Sequence, residues 1–162
     1  MRTIPDAGFA GDDGAPDPAL ADALAAYARN GRSAPAVVEL GRSRLLVPVV
    51  AVLGESGADE RGRSIDKSAD MAAVSLTGRD GRRALLVFTG TEAMRAWDGS
   101  ARPVPVTAQQ AASAARAEAA TALMVDVAGP VRMVVEADDL GHLAAGQVLV
   151  AVGDGHGWVS PG

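Results

Sequence analysis

The sequence contains no cysteine. That single absence excludes disulfides, thiolate nucleophiles and cysteine-based metal sites together. Lysine is nearly missing as well: Lys67 stands alone against fourteen arginines, a bias that GC-rich codon usage explains more simply than phosphate binding does. Histidine occurs only as His142 and His156, and aromatic residues make up 3% of the chain. No run approaches the roughly 18 apolar residues of a membrane helix. The segment Met1–Ala19 is acidic and rich in glycine and proline, without the apolar stretch of a signal peptide. The formal net charge of −5 repels a polyphosphate backbone. These absences point to a cytoplasmic protein with neither a nucleic acid nor a membrane as partner.

What is present fits one ordinary domain. The 162 residues are 48% apolar, enough for a single core. With so few aromatics, that core must be filled by Val, Leu and Ala, whose small side chains demand closely packed elements. Residues 1–16 read as a loose arm, 17–152 as the folded domain and 153–162 as a flexible tail. Asp17-Pro18 combines a capping acid with a proline at the first helical position. Leu20, Leu24 and Tyr27 then form one apolar stripe that ends before Gly31. Residues 34–41 suit a short helix or a strand. Residues 44–53 read as a buried strand whose Pro48 requires a sheet edge or a bulge. Residues 71–77 and 84–88 flank the turn Gly78-Arg79-Asp80-Gly81 as a hairpin. Thr89-Gly90-Thr91-Glu92 and Thr107-Ala108-Gln109-Gln110 both read as capping boxes. A second hairpin spans Gly129-Pro130, a last helix starts at Asp138 or Asp139, and 147–152 forms a terminal strand. The fold class is α/β (α+β): a mixed, largely antiparallel sheet with helices packed on it.

Catalytic constellations are scarce. No G-x-S-x-G, P-loop or dinucleotide loop is framed by strand and helix, and two distant histidines give a serine nucleophile no base. His142 reads as a packing or surface residue and His156 as part of the tail. Glu136, Asp138 and Asp139 read as helix-start electrostatics. No cofactor, metal site or catalytic residue is expected.

Two places remain for binding. The 16-residue connection Gly54–Ala69 is long for a compact domain. It delivers Asp66, Lys67, Ser68 and Asp70 to a strand start, where they form either a surface ion-pair group or a binding site. Trp97 and Arg102, beside the run Arg102-Pro103-Val104-Pro105, form either half-buried packing or a recognition surface.

The stretches RLLVPVVAVL, DKSADMAAVSLTGRDGRRALLVFTGTEAMRAW and ARPVPV resemble the SseB-like N-terminal domain family (enhanced serine sensitivity), in its actinobacterial style. Lys67, Asp70, Phe88-Thr89, Trp97 and Arg102-Pro103-Val104-Pro105 carry the likeness, which extends over residues 18–146. The resemblance implies a modest α/β domain and supplies no catalytic set. Taken with the missing catalytic residues, the expected function is a non-enzymatic cytoplasmic module that binds a protein partner or regulates one, its oligomeric state left open. The alternative is a binder of a small anion, or an enzyme, that uses the Lys67 loop and a helix N-terminus.

Overall fold

The computed structural model describes residues 11–51, 57–58, 64–65 and 71–161. The first helix, α1 (Pro18–Asn30), begins as its sequence demands. Asp17 caps it through Ala19 N–H, Pro18 takes the first turn, and Gly31 closes it at φ 71°. A left-handed φ suits glycine at a helix end. The ambiguous segment that follows is helical, α2 (Ala34–Leu40).

The strands are β1 (Leu45–Ala51), β2 (Gly57–Ala58), β3 (Ser64–Ile65), β4 (Met71–Thr77), β5 (Arg83–Val87), β6 (Arg102–Val106), β7 (Ala122–Val125), β8 (Met133–Val135), β9 (Val148–Val152) and β10 (Gly155–Val159). The remaining helices are α3 (Thr91–Trp97), α4 (Ala108–Ala117) and α5 (Ala137–Ala144). The main sheet runs in the order β2-β3-β4-β5-β7-β8, with β1 paired to both β4 and β6. Its pairs are antiparallel except β5 with β7, which is parallel. The fold is thus an α+β domain with a mixed, mostly antiparallel sheet; β9 and β10 form a separate hairpin.

Alternation along the strands divides the interior in two. Leu45, Val47, Leu85, Val87, Leu123, Val125, Met133 and Val135 point to one face, where Leu20, Leu24, Leu40, Leu140 and Leu143 of α1, α2 and α5 meet them. Helix α4 joins that layer through Ala108, Ala111, Ala112 and Ala115, each no more than 2% exposed. This alanine stripe lets the helix lie close to the sheet, the tight packing that a core poor in aromatics needs. Leu46, Val50, Val74, Leu86 and Phe88 point to the opposite face, where, among the described residues, the seven-residue α3 packs through Met94 and Trp97.

Pro48 is placed differently from the sequence expectation. It lies in an interior strand, since β1 has neighbours on both sides. Leu46 exchanges both backbone hydrogen bonds with Phe88, at 2.8 Å each, while Val49–Ala51 pair with β4. Backbone donors alternate sides, so the nitrogen of Pro48 faces the point where β1 passes from one neighbour to the other. No ladder bond is lost there. By the same alternation and the register Val49↔Arg102, Val47↔Val104 and Leu45↔Val106, the nitrogens of Pro103 and Pro105 face away from β1, toward the side of β6 that no described strand pairs.

Of the expected arm 1–16, residues 1–10 lie outside the described residues, while 11–16 and the tail make defined contacts. Arg44 binds residues 12–15 and Thr91 N–H donates to Gly14 O at 2.8 Å, so residues 11–16 form a strap against the domain. The tail expected to be flexible contains β10, which pairs with β9 across Gly153-Asp154. Trp158 of β10 stacks on His142 with ring centroids 4.7 Å apart.

Candidate functional site

The most constrained polar group lies just beyond the carboxyl ends of the parallel pair β5 and β7. Phe88 leads from β5 into Thr89, and Val125 leads from β7 into Asp126. The Asp126 backbone N–H donates to Val87 O at 3.0 Å, and its carbonyl accepts from Gly129 N–H at 2.8 Å. This turn places Asp126 at φ 52°, a left-handed conformation that Asp tolerates better than most residues. The side chain consequently points inward and is only 4% exposed. Its Oδ1 accepts from Thr89 N–H and its Oδ2 from Thr89 Oγ1–H, both at 2.8 Å. Burial pushes the carboxyl above its ordinary range, against the two Thr89 hydrogen bonds that favour the ion.

This pairing overturns one expectation from sequence. Thr89 does not cap α3. The N-cap is Gly90, with no side-chain cap bond, because the Thr89 hydroxyl is committed to Asp126. The second predicted box is present in full: Thr107 Oγ1 accepts from Gln110 N–H at 3.1 Å, and Thr107 N–H donates to Gln110 Oε1 at 2.9 Å. In α5 neither Asp138 nor Asp139 is the cap. Glu136 holds that position, and the two aspartates fall in the first turn.

Thr89 and Asp126 line a cleft of about 220 Å³ together with Pro16, Ala21, Leu24, Gly90, Glu92, Ala93, Pro130 and Val131. The strap forms one wall. Arg44 anchors it by donating to Asp12 Oδ1, Ala15 O and Thr89 O at 2.8, 2.6 and 2.9 Å, and its Nε lies 2.7 Å from Asp12 Oδ2. Burial tends to raise the Asp12 carboxyl, but the Gly14 N–H and the Arg44 guanidinium outweigh it and hold the group below its ordinary value.

A second concavity, of about 280 Å³, lies on the sheet face that α3 leaves open. Leu76, Ala84, Met124 and Val134 contribute to its lining, and Val134 is 38% exposed. Its rim is charged: Arg82 Nε lies 2.7 Å from Asp80 Oδ2, and Arg82 Nη1 lies 3.4 Å from Glu136 Oε2.

Of the residues singled out from sequence, Asp66, Lys67, Ser68 and Asp70 lie outside the described residues. Trp97 is half-buried against Phe88, with ring centroids 5.6 Å apart. Arg102 is exposed at the first position of β6, opposite Val49. Cross-strand partners share a face, so Arg102 lies on the side of Val104 and Val106, which α1, α2, α4 and α5 cover. Trp97 lies on the other, and the two do not form one surface. Sequence reasoning passed over Asp126. Its only signal was a lone acid directly after a four-residue apolar run, ALMV.

Among the described residues, no group of three or more His, Asp or Glu side chains is placed to hold a metal ion, and no helix is long and apolar enough to cross a membrane. The family model for the SseB protein N-terminal domain matches residues 20–142, well over half of the chain. The chain belongs to the SseB N-terminal domain family. The matched region of this SseB domain runs from α1 into α5 and includes Thr89, Asp126 and the open sheet face; the strap and the β9–β10 hairpin fall outside it. No curated protein and no solved structure matches the chain.

Proposed function

We propose that this SseB domain is a cytoplasmic, non-enzymatic protein-binding or regulatory module that receives its partner on the open face of the sheet. The observation that carries the reading is the asymmetry of that sheet. Among the described residues four helices cover one face, while α3 is the one helix on the other, and Leu76, Ala84, Met124 and Val134 line a depression there. Contiguous apolar surface with a polar rim is the usual character of an interaction site. The Asp80–Arg82–Glu136 rim carries both signs of charge and so suits a peptide or protein surface with an apolar centre and mixed flanking charges.

The test is capture from host lysate with the native chain and with Val134→Glu, alongside melting temperatures. A protein retained by the native chain and lost from Val134→Glu, at unchanged stability, supports the reading. Equal recovery with both proteins refutes it.

A further inference from the structure

The cleft beyond β5 and β7 holds a carboxylate that no described residue of its lining neutralises. Asp126 is 4% exposed and, among the described residues, its side chain takes hydrogen bonds from the uncharged groups of Thr89. Among the described residues the other charged member of the lining, Glu92, is also acidic, and the remaining walls are mostly apolar. The cation bound nearby, Arg44, reaches the carbonyl of Thr89 but is engaged by Asp12 and Ala15 O. A buried carboxylate without a counter-ion is costly, and a cationic guest removes that cost. Among the described residues of the lining an anionic guest would meet two acids and no base.

The hydrogen-bonding capacity fits the same guest. A carboxylate offers about four acceptor positions, and Thr89 uses two of them. The apolar walls suit a short hydrocarbon chain. A volume of about 220 Å³ equals roughly seven waters at ~30 Å³ each, room for a group of butylammonium size. We propose that this cleft binds a primary ammonium group on a short apolar chain, with Asp126 as the charged anchor and Glu92 as a second, exposed acid. Such a group is carried by a free aliphatic amine or by the side chain of a lysine in another protein. The site is separate from the open sheet face, and its failure or success leaves the reading of that face untouched.

The experiment is a titration of the full chain, followed by amide ¹⁵N–¹H NMR at pH 7. Its probes are n-butylammonium, n-butanol, butyrate and a capped tripeptide with one central lysine. Saturable shifts at Thr89 and Gly90 are expected with n-butylammonium or the lysine peptide, at least about tenfold weaker with n-butanol, and absent with butyrate. Stronger binding by the free amine assigns the guest to small molecules; stronger binding by the peptide assigns it to a protein side chain. Asp126→Asn preserves the shape, and Asn tolerates the left-handed backbone; it should weaken binding by about tenfold or more. Glu92→Gln, at an exposed position that leaves folding intact, should weaken it by about two- to threefold. Affinity should also fall as the pH drops and Asp126 becomes protonated. Equal affinity for n-butanol and n-butylammonium, binding of butyrate, no saturation with either cation, or full affinity in Asp126→Asn would each overturn the proposal.

Discussion

Replacing Thr89 by valine isolates one bond in an otherwise preserved site. Valine keeps the branched shape, and the backbone N–H that holds Asp126 Oδ1 stays in place. Only the 2.8 Å bond from the hydroxyl to Oδ2 disappears. Both residues are at most 6% exposed, so water entering from the cleft that they line offsets the missing donor only in part. Hydrogen bonds to charged groups contribute about 1.5–3 kcal/mol, and we expect Thr89→Val to cost about 2 kcal/mol at pH 7. For a domain of this size that lowers the melting temperature by about 4–8 °C; Thr89→Ser, which keeps the hydroxyl, should recover most of it. The pH dependence supplies a second check. Burial holds the Asp126 carboxyl above its ordinary value of 3.8 in the folded chain. The native state therefore binds more protons than the unfolded state between those two values. The stabilising contribution is complete below the ordinary value and is lost as pH rises through the folded one. Removing the hydroxyl donor raises the folded value further, so the cost of Thr89→Val must be largest at neutral pH and shrink in acid. Denaturant titrations of both proteins at several pH values measure this. A cost below about 0.5 kcal/mol at pH 7, or one that does not change with pH, would refute the reasoning.

Three further outcomes follow from the packing. A Cβ at Gly90 would lie 2.9 Å from Gly14 O and 2.9 Å from Pro16 Cδ. Gly90→Ala should therefore displace the strap at a cost of about 1–2 kcal/mol, on the order of two hydrogen bonds, and the same substitution in a chain lacking residues 1–16 should cost nothing more. Thr107→Ala breaks a complete capping box and should cost about 0.5–2 kcal/mol, read as a shifted denaturation midpoint with an unchanged slope. Trp97→Ala should cost about 3 kcal/mol, the low end for a large aromatic, because Trp97 is half-buried against Phe88; an unchanged midpoint would remove Trp97 from the core.

Much of the fold was legible where local chemistry is self-contained. Asp17-Pro18, the Thr107–Gln110 box and the two hairpins each depend on residues within a few positions of one another. The misplaced elements share a different cause. Thr89 carries a cap signature, but a buried acid 37 positions away takes its hydroxyl. The strap has no apolar stripe to betray it, since Arg44 and Thr91 hold it from distant parts of the chain. Strand β10 is masked by Gly155 and Gly157, whose missing side chains erase the alternation that marks a strand. The site was less legible than the fold. Arg102 and Trp97 are five positions apart in sequence, yet the register of β6 puts them on opposite faces of the sheet. Asp126 is conspicuous only once β5 and β7 are known to be neighbours.

The prolines of β6 decide what can happen to the domain at high protein concentration. An open sheet edge is a template on which a second extended chain can be copied, and it needs donors and acceptors in alternation. At the β6 edge the outward donors belong to Pro103 and Pro105 and do not exist, so an incoming strand finds carbonyls to donate to and nothing to accept from. Every second rung of the would-be ladder is missing. Those missing donors by themselves close that end of the sheet to edge-to-edge growth, and replacing both prolines by valine would open it to fibrillar or swapped pairing.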